Sequence, residues 1–410
     1  MAQFINSRRR HSRAFRRAGF ALFGAGALLL ATQSLASADD AFYAARFVFP
    51  LNAEHNHAPG VVECPNGDIL VSWYRGSGER SADDVRVMGA RLRAGDDEYG
   101  EAFLMADTPG FPDCNTCMMI DAEERLWLFW PLILDNSWDS CLTQYRVSSN
   151  YQQSGPPVWD WQGSIPLKPL HFEEKMLAGL EERLATAGAL RARAEKYAAY
   201  VREKLEMKLS GRLGWQPRCK PTVLPSGRIL LPLYTDTYSV SIMAISDDGG
   251  QSWYGSEPLV GYGNIQPAVL RREDGTLVAY MRENGPLNKI RVCESADDGV
   301  HWGAVGTIDL PNPGSGLDAV VLSSGRWLLV YNDSLDGRHS LAVSLSDDEG
   351  HTWNVTRHLE NDESQETRSH YPAVIQGRNG HIHCVYSYFT PDGKTMKHAT
   401  LNEAWIDAGD

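Results

Sequence analysis

The chain has 410 residues, 43% of them hydrophobic and 22% charged, with 37 Gly, 21 Pro and 12 Trp. That composition excludes collagen-like and disordered chains, and points away from a helical bundle toward short strands joined by turns. A formal net charge of -13, from 52 acidic against 39 basic residues, excludes general binding to nucleic acid or an anionic membrane, which needs a basic surface to displace counterions.

In chain order, residues 1–38 read as a cleaved signal peptide. Arg8, Arg9, Arg10, Arg13, Arg16 and Arg17 come without an acidic residue, an apolar run follows from Phe20 to about Leu30, and Ala36-Ser37-Ala38 offers small residues for cleavage before Asp39. The run is too short for a comfortable membrane span. The remaining 39–410 is therefore expected to be exported, periplasmic or extracellular, and to be more acidic still. Next, Phe42 to Phe49 has strand character. Seven cysteines follow: Cys64, Cys114, Cys117, Cys141, Cys219, Cys293 and Cys384. The Cys114-x-x-Cys117 spacing has no second such pair, so buried or locally bridged thiols are expected, and no metal or cofactor.

From His171 to about Leu213 the chain turns rich in Ala, Glu, Lys, Arg and Leu, with no Pro. This predicts two helices, broken near Thr186-Ala187-Gly188, forming an insertion over 171–213. A solvated hairpin, a lid over a pocket and a dimer contact are the alternatives. The sequence specifies no oligomeric state.

Three stretches then fit Ser-x-Asp-x-Gly-x-x-Trp: Ser246 to Trp253, Ser295 to Trp302 and Ser346 to Trp353. A short Asp/Gly turn tied by its own side-chain hydrogen bonds and covered by Trp explains those residue types. A second repeat, a turn Gly followed by an apolar strand, begins at Gly67, Gly227, Gly275, Gly325 and Gly380, with Glu124 opening a sixth copy. Six copies at a spacing of about 50 residues predict an all-β fold, a six-bladed β-propeller with a helical insertion, closed by the Phe42–Phe49 strand. Repeat-equivalent positions, nine residues before each turn Gly, should meet at the propeller axis. They hold Arg218, Gln266, Gly316 and Tyr371, with His57 one residue further from Gly67.

The Asp boxes, the repeat and the export signal resemble the sialidase superfamily of BNR or Asp-box proteins, over essentially the whole mature chain apart from the insertion. The resemblance implies that Arg282 in Met281-Arg282-Glu283 and Arg338 in Asp336-Gly337-Arg338 bind a carboxylate. It also implies that Tyr371 in His370-Tyr371-Pro372 is the nucleophile, and that the acid/base Asp of the first blade is Asp83 or Asp84. Two positions depart from the family pattern. His57 stands where its first Arg is expected, and Gln266 stands where a Glu would activate the Tyr. An amide cannot take a phenol's proton.

The expected ligand is thus an acidic glycan, bound by Arg282, Arg338, Arg218, Gln266 and Asn332, with Tyr371, His57 and Asp83 or Asp84 as reacting groups. Weaker candidates are Arg75, Arg80 and Lys220 as further cations, Asn284 and Asp318 for sugar hydroxyls, and Trp73, Tyr74 and Tyr234 for stacking. His55 and His370 flank the better-placed pair. Three functions fit. One is a sialidase-like hydrolase; another is a lyase in which His57 takes a proton and Tyr371 gives one to the leaving oxygen; the third is a glycan-binding propeller without catalysis.

Overall fold

The computed structural model describes residues 40–410, which form a single unit. The expected signal peptide lies outside these residues. Within them, six antiparallel sheets follow one another along the chain. Their inner strands are His55–Glu63, Cys117–Ile120, Gln216–Pro217 with Thr222–Val223, Asn264–Arg271, Asp318–Val321 and Arg368–Gln376, opening blades 1 to 6 in that order. The strand Tyr43–Phe47 pairs antiparallel with Gly393–Leu401, so the two ends of the chain share blade 6 and close the ring. Closure removes the free sheet edges that an open array of blades would expose.

The Asp boxes form as their residue types dictate. In the first, Asp248 Oδ1 accepts from Ser246 Oγ at 2.9 Å and from the Ser252 N–H at 2.9 Å, while Ser246 Oγ accepts from the Gly250 N–H at 2.8 Å. Gly250 has φ 87°, and a Cβ there would collide with Trp127 of blade 2. The box thus joins neighbouring blades: its glycine is the notch that receives an aromatic side chain from the next sheet. Trp127 and Trp73 are fully buried, and burial of each large apolar side chain contributes about 1.5–3 kcal/mol.

The insertion consists of α1 (Phe172–Thr186) and α2 (Arg191–Glu206). It is not a solvated hairpin. Met176, Leu180, Ala198 and Val201 are buried against Trp215, Tyr238, Val240 and Ile242 of blade 3. Blade 3 has a fourth strand of only Tyr254–Gly255, which leaves these apolar residues for the helices to cover. The seven cysteines are all buried free thiols, and burial pushes Cys219 and Cys293 up to about 12. Among the described residues no helix is long and apolar enough to cross a membrane, and no group of three or more His, Cys, Asp or Glu side chains is arranged to hold a metal ion.

Candidate active site

Besides Gln216-Pro217 of blade 3, three inner strands carry a residue-Pro pair at the axis: Ala58-Pro59, Gln266-Pro267 and Tyr371-Pro372. Proline has no N–H for the ladder. In each strand the register breaks there, between His57 and Gly60, Ile265 and Ala268, and His370 and Ala373. Ala58, Gln266 and Tyr371 take the left-handed conformation, with φ of 53°, 58° and 56°. That conformation costs an L-residue roughly 1–2 kcal/mol, and it re-aims the side chain.

Arg218 compensates part of this cost. It lies in the gap of the blade 3 inner strand and donates to the carbonyls of Pro59 at 3.2 Å and Pro372 at 2.9 Å, so one guanidinium ties two of the bulges together. At the equivalent place in blade 5, Gly316 leaves room: a Cβ there would stand 3.0 Å from Gln266 Oε1.

Tyr371 is the centre of the assembly. Its oxygen accepts from Arg282 Nη1 at 2.7 Å and from Gln266 Nε2 at 3.1 Å. The guanidinium carbons of Arg218, Arg338 and Arg282 stand 5.1, 5.5 and 6.0 Å from its ring centroid. Three cations around one phenol favour negative charge on its oxygen during a reaction.

His57 packs beside Tyr371, with ring centroids 4.3 Å apart. Its Nδ1 is 2.8 Å from Ser387 Oγ, which already accepts from the Ala58 N–H at 3.1 Å and points at Met396 Sδ at 4.0 Å. Ser387 thus fixes the orientation of the His57 ring through Nδ1. Burial first, then His370, His55, Arg338 and Arg218, hold the His57 pKa well below the ordinary imidazole range, so the ring is neutral at pH 7.

Residues 213–384 match the sequence family described as a BNR repeat-like domain. None of the curated proteins matches the chain in sequence. Among solved structures, a protein of unknown function from Dyadobacter fermentans is similar with a TM-score of 0.66 at 16% identity, covering 87% of this chain and 97% of the other. The NanB sialidase of Streptococcus pneumoniae is similar with a TM-score of 0.65 at 12% identity, covering 88% of this chain and 71% of that one. A leech intramolecular trans-sialidase complexed with 2,7-anhydro-Neu5Ac gives 0.65 at 11%, covering 88% and 70%. The chain thus shares the six-bladed propeller fold of these structures.

Not every residue expected at the site contacts Tyr371. Asp83 and Asp84 lie on the blade 1 loop with exposed side chains. Asp83 accepts from Asn136 Nδ2 at 2.7 Å, and Asp84 caps the Ser77 N–H at 3.1 Å. Asn332 spends its amide on the carbonyls of Ser340 and Ser369, at 2.6 and 2.7 Å, across blades 5 and 6. Arg218 serves carbonyls rather than a carboxylate. Lys220 and Asp318 pair with each other at 2.9 Å, beneath Arg218 on the axis. Trp73 is wholly buried and donates to Asn56, so it offers no face to a ring.

Sequence reasoning missed three groups around this site. Glu79 accepts from the Tyr74 hydroxyl at 3.0 Å and lies 3.4 Å from His55 Nε2; His55 holds its carboxyl below the usual range. Asp236 ends blade 3's second strand. Asn115 is the blade 2 counterpart of Gln266, nine residues before Glu124, and its position in the repeat was the signal that pointed to it.

Proposed function

We propose that this protein is an exported carbohydrate-active enzyme that cleaves the glycosidic bond of a terminal acidic sugar, sialic or uronic. The observation that carries the reading is the convergence of Arg282 and Arg338 on the Tyr371 phenol, with Arg282 in direct contact with its oxygen. Cations collected in one pocket of a chain with a net charge of -13 suit a small carboxylate, which guanidinium forks bind bidentately. The names of its structural neighbours support hydrolysis. In that route the Tyr371 oxygen faces the anomeric carbon and stabilises its positive charge as the bond to the leaving oxygen breaks; a donor protonates that oxygen, and water completes the product.

Elimination is favoured by one feature, the pairing of a neutral His57 with Gln266 where an activating carboxylate is expected. His57 takes the proton from the carbon next to a uronate carboxylate, a double bond forms, and Tyr371 gives its proton to the departing oxygen.

The purified protein incubated with sialyl- and uronate-terminated oligosaccharides separates the readings. A new reducing sugar without unsaturation means hydrolysis, and the absorbance of an unsaturated uronate means elimination. Binding without product makes the protein a glycan-binding propeller, and neither binding nor product overturns the reading entirely.

A further inference from the structure

We infer that the proton donor to the leaving group is Asp236 of blade 3, and not a carboxylate of the blade 1 loop. The inference rests on the acidic-glycan reading above, and its grounds are geometric. Tyr234 lies at the end of the strand Ile229–Thr235, and Asp236 opens the turn that follows it. Tyr234 points at the reacting centre: its oxygen accepts from Gln266 Nε2 at 3.0 Å, and the same nitrogen reaches Tyr371 at 3.1 Å. Asp236 is fixed by the other arm of one network. Its Oδ2 accepts from Gln216 Nε2 at 3.0 Å, while Asn115 Nδ2 donates both to Gln216 Oε1 at 3.1 Å and to the Tyr234 oxygen at 3.2 Å. Asn115, Gln216, Tyr234 and Gln266 come from the inner parts of blades 2, 3 and 4, so the carboxyl is held by packed sheet residues rather than by a loop alone. Among the described residues Asp236 Oδ1 has no hydrogen bond, which leaves it to face a ligand.

The directions in which burial and neighbouring groups shift the two carboxyls agree with this assignment. Burial is the main cause that raises the Asp236 carboxyl above its ordinary value; Arg282, Arg80 and Gln216 oppose it, and Glu79 adds to it. Glu79, the blade 1 carboxylate nearest the pocket, is shifted the other way and is ionised. An acid must hold a proton to give one. In the step itself, Asp236 passes its proton to the glycosidic oxygen as the bond to the sugar breaks, and the leaving group departs as an alcohol. The water that follows returns one proton to Asp236 and its hydroxyl to the sugar.

The test compares two leaving groups on N-acetylneuraminic acid and on glucuronic acid: methyl, which needs a proton to depart, and 4-nitrophenyl, which scarcely does. Asp236→Asn is expected to lower kcat on the methyl glycoside by about 10²-fold or more, with KM and nitrophenyl turnover nearly unchanged, and Asp236→Glu to restore part of the loss. Equal losses on both leaving groups overturn the assignment, as does the same pattern appearing in Glu79→Gln while Asp236→Asn behaves as wild type. Binding of the free sugar acid reports folding, and Asp236→Ser carries the same comparison should the Asn variant fail to fold. A wild type inactive on all four glycosides removes the acidic-glycan reading and this inference with it. An active wild type with an unaffected Asp236→Asn removes the inference alone.

Discussion

The two ends of the propeller treat the same repeat in opposite ways. At the Asp-box end, three turns repeat one another bond for bond: Ser295 and Asp297, and Ser346 and Asp348, make the contacts that Ser246 and Asp248 make. At the pocket end, repeat-equivalent positions hold His57 or Ala58, Asn115, Arg218, Gln266, Gly316 and Tyr371, no two alike. The Ser and Asp side chains of the Asp-box turns satisfy one another and nearby N–H groups locally, although Trp253 and Trp353 Nε1 are buried without partners and Asp298 and Glu349 also take positive φ. The pocket leaves Gln266 Oε1, Arg218 Nε and Arg282 Nε buried without partners and keeps three non-glycine residues at positive φ. Repetition serves closure of the ring, and its breakdown marks where a ligand is met, because unsatisfied groups and strain persist only where surrounding structure enforces them.

That contrast can be broken from either end. Tyr371→Phe keeps the ring under its three guanidinium groups and removes only the oxygen; turnover should fall by about 10³-fold while ligand affinity stays, as measured by kinetics and calorimetry. An active variant displaces Tyr371 from the reaction. Arg338→Ala should raise the Kd for the free sugar acid by roughly 30-fold or more, the loss of one partner from a buried charged contact. Unchanged affinity places Arg338 outside the pocket.

Arg218→Met strands the Pro59 and Pro372 carbonyls and is expected to cost about 2–4 kcal/mol in urea unfolding, with weaker turnover as the Tyr371 bulge loosens. A variant as stable as wild type shows that the bulges hold themselves.

The smallest effect belongs to the Asp boxes. Hydrogen bonds, led by those from Ser252 and Thr352, lower Asp248 and Asp348 to about 2. Their folded values lie below the unfolded value of about 3.9, so their stabilising contribution is complete above that pH and is lost as pH falls toward 2. The melting temperature of Asp248→Ala should therefore fall less steeply than that of wild type between those limits. Parallel curves exclude the effect.

Several features were legible because they are local. The turn glycines, the Ser/Asp pairs and the Ala/Leu/Glu-rich stretch each act within a few residues, so blades, boxes and α1 and α2 could be read directly. Tyr371, Gln266 and His57 were legible from register, since one offset from a repeated glycine brings side chains to one axis, whereas Arg282 and Arg338 were legible only through the family resemblance. Asp83 and Asp84 illustrate where this ends. They occupy a loop with no period, and what faces the pocket from that loop is Glu79, set by its contacts with Tyr74 and His55.

By itself, then, the sequence determined a closed ring of six blades and the set of residues that line its axis, since both follow from short-range patterns repeated along the chain. Only the tertiary structure decided which polar groups serve the pocket and which serve the frame. Arg218 is taken by the Pro59 and Pro372 carbonyls, Lys220 by Asp318, and Asn332 by Ser340 and Ser369, whereas Asp236 is held by Gln216. Those assignments depend mainly on contacts between blades far apart in the chain, where a buried donor takes whichever acceptor packing brings within reach.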